Sequence, residues 1–196
     1  MRKNLNYYLL SMINSGNFKY HIRMNNQNII LIGPMGSGKS TIGHIMAKKL
    51  NREFQDSDHY IEHKTGVDIP RIFDVEGECG FRDRETQALH DLLNLNNQVI
   101  ATGGGSVIRE ENQAMLKSNG FVIFLDTSIN QQMHRLRRDT KRPLLQTDNP
   151  RQRLECLFEA RRPIYLDLAD LIVKTDRRLA RKLVADIIIQ LPNSLH

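Results

Sequence analysis

The chain has 196 residues, enough for one domain with a sizeable core, and its hydrophobic share of 40% with few aromatics is that of an ordinary soluble globular protein. No apolar run is long enough to span a membrane, and the short YYLLSMI stretch runs into Asn14 and Ser15 without the cleavage pattern of a signal peptide. Four of the six net positive charges (Arg2, Lys3, Lys19, Arg23) fall in residues 1–27, which hold no acid, so the remainder is mildly basic at +2 and lacks the concentrated stripe of a nucleic-acid binder.

Residues 1–27 are rich in Asn and show no period, as expected of a disordered extension, and Met24 stands just before the first strand as a possible natural start. NIILIG, from Asn28, is a short apolar run ending in glycine and reads as a buried strand; Ile42, Ile45, Met46 and Leu50 then recur at helical spacing. Phe54–Asp56 suggests a second short strand, and His59–Lys64 a helix stopped by Gly66. Ile69–Phe73 and Arg82–Leu93 read as two further helical stretches, VIAT as a strand and FVIFL (121–125) as another. Ile129, Met133 and Leu136 mark a helix, and the polar, Pro-containing stretch DTKRPLLQTDNP (139–150) an exposed loop. Leu154, Leu157 and Phe158 open a helix that Arg161, Arg162 and Pro163 close, and DLIVKT (170–175) is the last strand. Leu179, Leu183, Val184, Ile187, Ile188 and Leu191 line one face of a final helix. Strands alternating with helices predict an α/β domain, residues 28–191, with a mostly parallel sheet covered on both faces: three layers. Cys79 and Cys156 are far apart and without metal-ligand spacing, which fits reduced thiols in a cytoplasmic protein.

Gly33, Gly38, Lys39 and Ser40 fit G-x-x-x-x-G-K-[ST], placed where a strand ends and a helix begins, as a phosphate-binding loop requires. The glycines let backbone N–H groups of Gly36, Ser37, Gly38 and Thr41 turn toward phosphate oxygens, and the helix N-terminus adds partial positive charge. Lys39 is placed to reach the β- and γ-phosphates of ATP, and the Ser40 hydroxyl to bind Mg²⁺. No guanine-type N-K-x-D element is present, which disfavours a GTPase.

DSD at 56–58 puts two carboxylates after a strand, one for the magnesium and one for an acceptor hydroxyl if the segment stays extended; alternatively Ser57 or Asp58 caps the next helix. In FRDRE, Arg82 and Glu85 share a helix face and form either a surface salt bridge or part of a site. Arg142-Pro143 stands in the polar loop, where a lid arginine over transferring phosphates would stand. ATGGGSV has no acid at all, only three glycines at 103–105.

GPMGSGKST, DSD, FRDRE, ATGGGSV, KRPLL, ARRPIY and KTDRR occur in this order, and over residues 27–190 the chain resembles the shikimate kinase family. The resemblance implies a five-stranded parallel sheet of the nucleoside-monophosphate-kinase type with a lid at about 139–150. It implies transfer of the γ-phosphoryl of ATP, with Mg²⁺, to the 3-hydroxyl of shikimate, toward chorismate and the aromatic amino acids. Carried over by position, Asp58 holds the shikimate hydroxyls as base or orienting group. Arg82 and Arg161 bind the carboxylate and Glu85 orients the arginine. Gly103, Gly104 and Gly105 form the substrate wall, with the Gly104 N–H donated to the substrate. Arg142 lies over the phosphates, Arg178 packs near the adenine, and Asp56 supports the magnesium with Ser40. On this reading bare glycines leave room for a compact ring against the backbone. A monomer with no nucleic-acid or membrane partner is expected.

Other functions fit parts of the same pattern. A phosphate-loop kinase acting on gluconate or a nucleoside monophosphate also wants arginines, although the GGG wall with Arg82 and Arg161 favours a small cyclic carboxylate. A nucleotide sensor would bind ATP without turnover, and a nucleic-acid-associated protein would use the basic N-terminal arm in a salt-sensitive way.

Overall fold

The computed structural model describes residues 27–137 and 147–196, and within them five strands and seven helices alternate. They are β1 (Asn28–Ile32), α1 (Lys39–Leu50), β2 (Glu53–Asp56), α2 (Ser57–Thr65), α3 (Ile69–Leu93) and β3 (Gln98–Ala101). Then follow α4 (Glu110–Asn119), β4 (Gly120–Asp126), α5 (Ile129–Leu136), α6 (Pro150–Leu168), β5 (Leu171–Lys174) and α7 (Ala180–Gln190). The expected extension, save Gln27, and most of the expected lid, with Arg142, lie outside the described residues.

The sheet order is β2-β3-β1-β4-β5 and every neighbouring pair is parallel, with Ile30 opposite both Ile100 and Val122. Period-two alternation divides the apolar strands between two cores. Ile29, Leu31, Val99, Ile123 and Leu125 pack with Met46, Leu183 and Ile187 from α1 and α7. Ile30, Ile32, Ile100, Val122 and Phe124 pack with Leu89, Leu116 and Tyr165 from α3, α4 and α6. Both faces being covered, the central strands read as continuous apolar runs, and the three-layer α/β expectation holds. All strand carboxyl ends lie on one edge, where open parallel sheets bind their ligands.

Several local expectations are corrected. The two helical stretches expected at 69–73 and 82–93 are present but longer, and they meet within α3 at Gly77, whose φ of 69° and ψ of −174° are not helical. Pro163 does not end α6, which runs on to Leu168 because burial of Tyr165 and Leu168 outweighs the lost backbone bond. The cap of α2 is neither Ser57 nor Asp58 but Asp56, whose Oδ1 accepts from the N–H groups of Asp58 (3.1 Å) and His59 (3.4 Å). Leu179 is not on the buried face of α7; it caps the helix and is exposed, while Leu183, Val184, Ile187 and Leu191 are buried. Helix α4 is not announced by its apolar spacing, since in EENQAMLKSN only Met115 and Leu116 are large and apolar.

Candidate active site

The loop between β1 and α1 carries the phosphate-binding signature. Gly38 caps α1 with φ of 95°, a conformation that a β-carbon would strain, and so lets the loop enter the helix with its N–H groups facing inward. Lys39 Nζ lies across the loop and donates to the carbonyls of Gly33 (2.8 Å) and Pro34 (3.0 Å). The hydroxyl of Ser37 is buried and has no hydrogen-bond partner among the described residues. Gly36, Ser37, Gly38, Lys39, Ser40 and Thr41 all line one cavity of about 780 Å³.

Asp56, at the end of β2, closes one side of it. The Ser40 hydroxyl donates to Asp56 Oδ2 at 2.6 Å, so a hydroxyl and a carboxylate oxygen meet beside the phosphate loop. The pair fits Mg²⁺, a hard cation that takes one or two protein oxygens and completes its shell with phosphate and water. Asp58 does not lie on an extended strand beside Asp56; it is in the first turn of α2, and that turn brings it into the same cavity.

The three glycines follow β3 in the middle of this edge. A β-carbon on Gly103 would collide with Glu85 Oε1 and stand 2.8 Å from Asp58 Oδ1, and one on Gly105 would collide with the Arg82 guanidinium. At Gly104 it would press on the Met35 backbone nitrogen at 3.3 Å. The space that a side chain would fill is therefore taken by site side chains and the phosphate loop. The segment is further fixed by the Gly103 N–H, which donates to Ser57 Oγ at 2.8 Å, and by the Tyr165 hydroxyl, which donates to the Gly104 carbonyl at 2.5 Å.

Arg82 and Arg161 are each only 7% exposed and Glu85 only 1%, so the surface salt bridge weighed for FRDRE is a buried one. Arg82 donates through Nη1 to Glu85 and through Nη2 to Glu78 Oε1 at 2.8 Å. Burial pulls the Arg82 guanidinium down, but Glu85 and Glu78 outweigh it and leave its pKa above the ordinary value. For Arg161, burial outweighs the nearby Tyr165, Glu85 and Glu78. Arg161 donates to the Gly104 carbonyl at 3.3 Å, makes no ion pair among the described residues, and burial lowers its pKa. Burial also pushes the Tyr165 hydroxyl up to about 12, so it stays a donor. Two buried cations with one buried carboxylate make a place for an anionic group.

The opposite end of the cavity is formed by Arg135, Thr175, Arg178 and Leu183. Arg178 pairs with Asp186. Arg135 ties this end to the phosphate loop, donating to the carbonyls of Gly36 (2.8 Å), Ser37 (3.0 Å) and Thr175 (3.1 Å). Thus fifteen positions singled out in the sequence outside the lid, Arg178 among them, surround one space. The shikimate kinase family model matches residues 35–192. The chain belongs to the shikimate kinase family. Shikimate kinase from Chromohalobacter salexigens is 56% identical over 160 residues (82% of this chain and 89% of that protein), and that from Pseudomonas entomophila 52% over 165 residues (84% and 96%). Among solved structures, shikimate kinase from Acinetobacter baumannii in complex with shikimate superposes with a TM-score of 0.82 at 46% identity, covering 84% of this chain and 92% of that one.

In this shikimate kinase family member, sequence reasoning missed the residues that act through others. Ser57, Ser106, Arg135 and Tyr165 touch the site only because distant segments meet: the Ser106 hydroxyl donates to Glu85 Oε1 at 2.8 Å across 21 positions. Glu78 is local, four residues before Arg82 on α3, and the i, i+4 spacing was its signal. The only signal for Arg135 is its place before the lid, shared with Arg137, and the only one for Tyr165 is its place in ARRPIY.

Proposed function

We propose that this chain, an ATP-dependent kinase, transfers the γ-phosphoryl group of ATP to the 3-hydroxyl of shikimate, giving shikimate 3-phosphate and ADP on the route to chorismate and the aromatic amino acids. The observation that carries this is a cavity with a phosphate loop on one side and two buried arginines, Arg82 and Arg161, on the other. Phosphoryl transfer needs positioning and charge stabilisation more than covalent help. Arg82 and Arg161 take the carboxylate of the ring, Glu85 fixes the Arg82 fork, and the Gly104 N–H adds a backbone donor along the wall of Gly103 and Gly105.

With the ring so held, the 3-hydroxyl faces Asp58. Its carboxylate accepts the hydroxyl hydrogen bond, as base or as orienting group, while the oxygen attacks the γ-phosphorus and the bond to the ADP oxygen breaks. The N–H groups of residues 36–41 cradle the phosphates, Lys39 and the lid arginine Arg142 neutralise developing charge, and Arg178 packs near the adenine. Ser40 and Asp56 would hold Mg²⁺, which would supply positive charge against the transferring phosphates. Residues 28–191 work as one kinase domain, a cytoplasmic monomer with ATP and shikimate as partners and neither nucleic acid nor membrane. Among the described residues no helix is long and apolar enough to cross a membrane.

The test is ADP release from MgATP, followed by a coupled assay with shikimate, gluconate, a nucleoside monophosphate or no acceptor. Rapid release with shikimate alone is expected. Release with another acceptor would discard the ring-binding roles, and ATP binding with no release would leave a sensor.

A further inference from the structure

Around the anion site one acid has no role in the chemistry above. Glu78 sits one helical turn before Arg82 on α3 and accepts from Arg82 Nη2 at 2.8 Å. Unlike the other members of the cluster its side chain is 52% exposed. It does not line the cavity; it holds the second terminal nitrogen of the guanidinium whose Nη1 donates to Glu85, and both nitrogens lie against Gly105. The charges of Arg82, Arg161, Glu85 and Glu78 together cancel, whereas without Glu78 the same cluster has a net charge of +1. Glu78 also feels Arg161 and Arg153, so its field reaches both cations of the site, and the Arg82 hydrogen bond holds its pKa below the ordinary value.

We propose that Glu78 is an internal counter-anion that weakens the binding of the acceptor's carboxylate, setting the affinity of the site rather than building it. This rests on the reading of Arg82 and Arg161 as the carboxylate site. An entering carboxylate meets a neutral cluster instead of a cationic one, and shares Arg82 with two carboxylates already in place. The half-exposed position of Glu78 suits the role, because a fully buried second acid would hold Arg82 too tightly to be shared, and a fully exposed one would be screened. The benefit to an enzyme is release: a product that keeps the same carboxylate leaves more readily from a neutral site.

Glu78→Gln separates charge from geometry, since the amide oxygen still accepts from Arg82 Nη2. Calorimetric titration is expected to show shikimate binding about three- to tenfold more tightly to E78Q than to the wild type, the scale of one like charge at a partly exposed site. Binding of shikimate methyl ester, which has no carboxylate charge, and of ATP should not change. Glu78→Asp, which keeps the charge, should stay within about twofold of the wild type for shikimate. Equal or weaker shikimate binding by E78Q would overturn the proposal and make Glu78 a support for Arg82. Tighter binding of the methyl ester by the same factor would also overturn it. If the wild type binds no shikimate, the reading of the anion site fails and this proposal with it; if the wild type binds and E78Q gains nothing, only this proposal fails.

Discussion

Glu85 and Glu78 grip the same guanidinium, yet Glu85 is 1% exposed and Glu78 half-exposed. Exposed pairs are worth about 1 kcal/mol or less, while removing one partner of a buried pair strands a charge and costs about 3–5 kcal/mol. Glu85→Ala is therefore expected to lower unfolding stability in urea by about 3–5 kcal/mol. A loss near that of an exposed pair would mean that Arg82 relaxes to solvent. Gly105 offers a second check, because a β-carbon there would collide with the guanidinium that Glu85 pins. Gly105→Ala should raise the KM for shikimate tenfold or more, about 1.4 kcal/mol or above, and leave that for ATP nearly unchanged. An equal rise in both would point to general misfolding. In sequence, Arg82 and Arg161 are indistinguishable from the half-buried Arg84 and the exposed Arg162. The motif order suggested their use, but burial is set by where α3 and α6 dock, and no local pattern records that.

Helices α2 and α3 form one unit over the anion site, joined by Ile61, Ile72, Phe81 and Ala88 and by a polar link to Asp91. Lys64 Nζ (2.5 Å) and the Tyr60 hydroxyl (2.9 Å) both donate to Asp91 Oδ2, and the Lys64 bond leads the effects that bring the carboxyl from 3.8 to about 2. A depressed folded value gives stability that is complete above the unfolded value near 3.8 and lost as pH falls through about 2. Asp91→Asn is expected to lower the Tm at neutral pH by about 2–4 °C, with the gap to the wild type constant down to about pH 5 and closing below about pH 4. A gap unchanged at low pH would place the effect elsewhere. Elements with a strong period, such as β1, β4 and α1, were legible because their apolar residues repeat at 2.0 or 3.6. The full extent of the two helical segments that meet at the Gly77 kink in α3 was not, since residues 74–81 are largely polar or glycine. Nor was the run of α6 past Pro163, which local rules forbid and tertiary packing restores.

Across the whole molecule, parallel pairing brings the loops after β1, β2 and β3 to one edge, so segments 39–41, 56–58 and 103–105 meet without being close in sequence. The phosphate loop was readable because its chemistry demands fixed spacing, and the acceptor end only through the order of several motifs, since arginines, an acid and three glycines separately imply no ring. The central claim is that this edge carries a phosphoryl group to one hydroxyl of one cyclic acid. The most direct measurement is ³¹P and ¹H NMR of the product formed from MgATP and an equimolar mixture of shikimate, gluconate and a nucleoside monophosphate. A single new phosphate ester coupled to the proton on C3 of shikimate is the predicted result. An ester on another hydroxyl, or on another acceptor, would contradict the placement of Asp58, Arg82 and Arg161 around the ring.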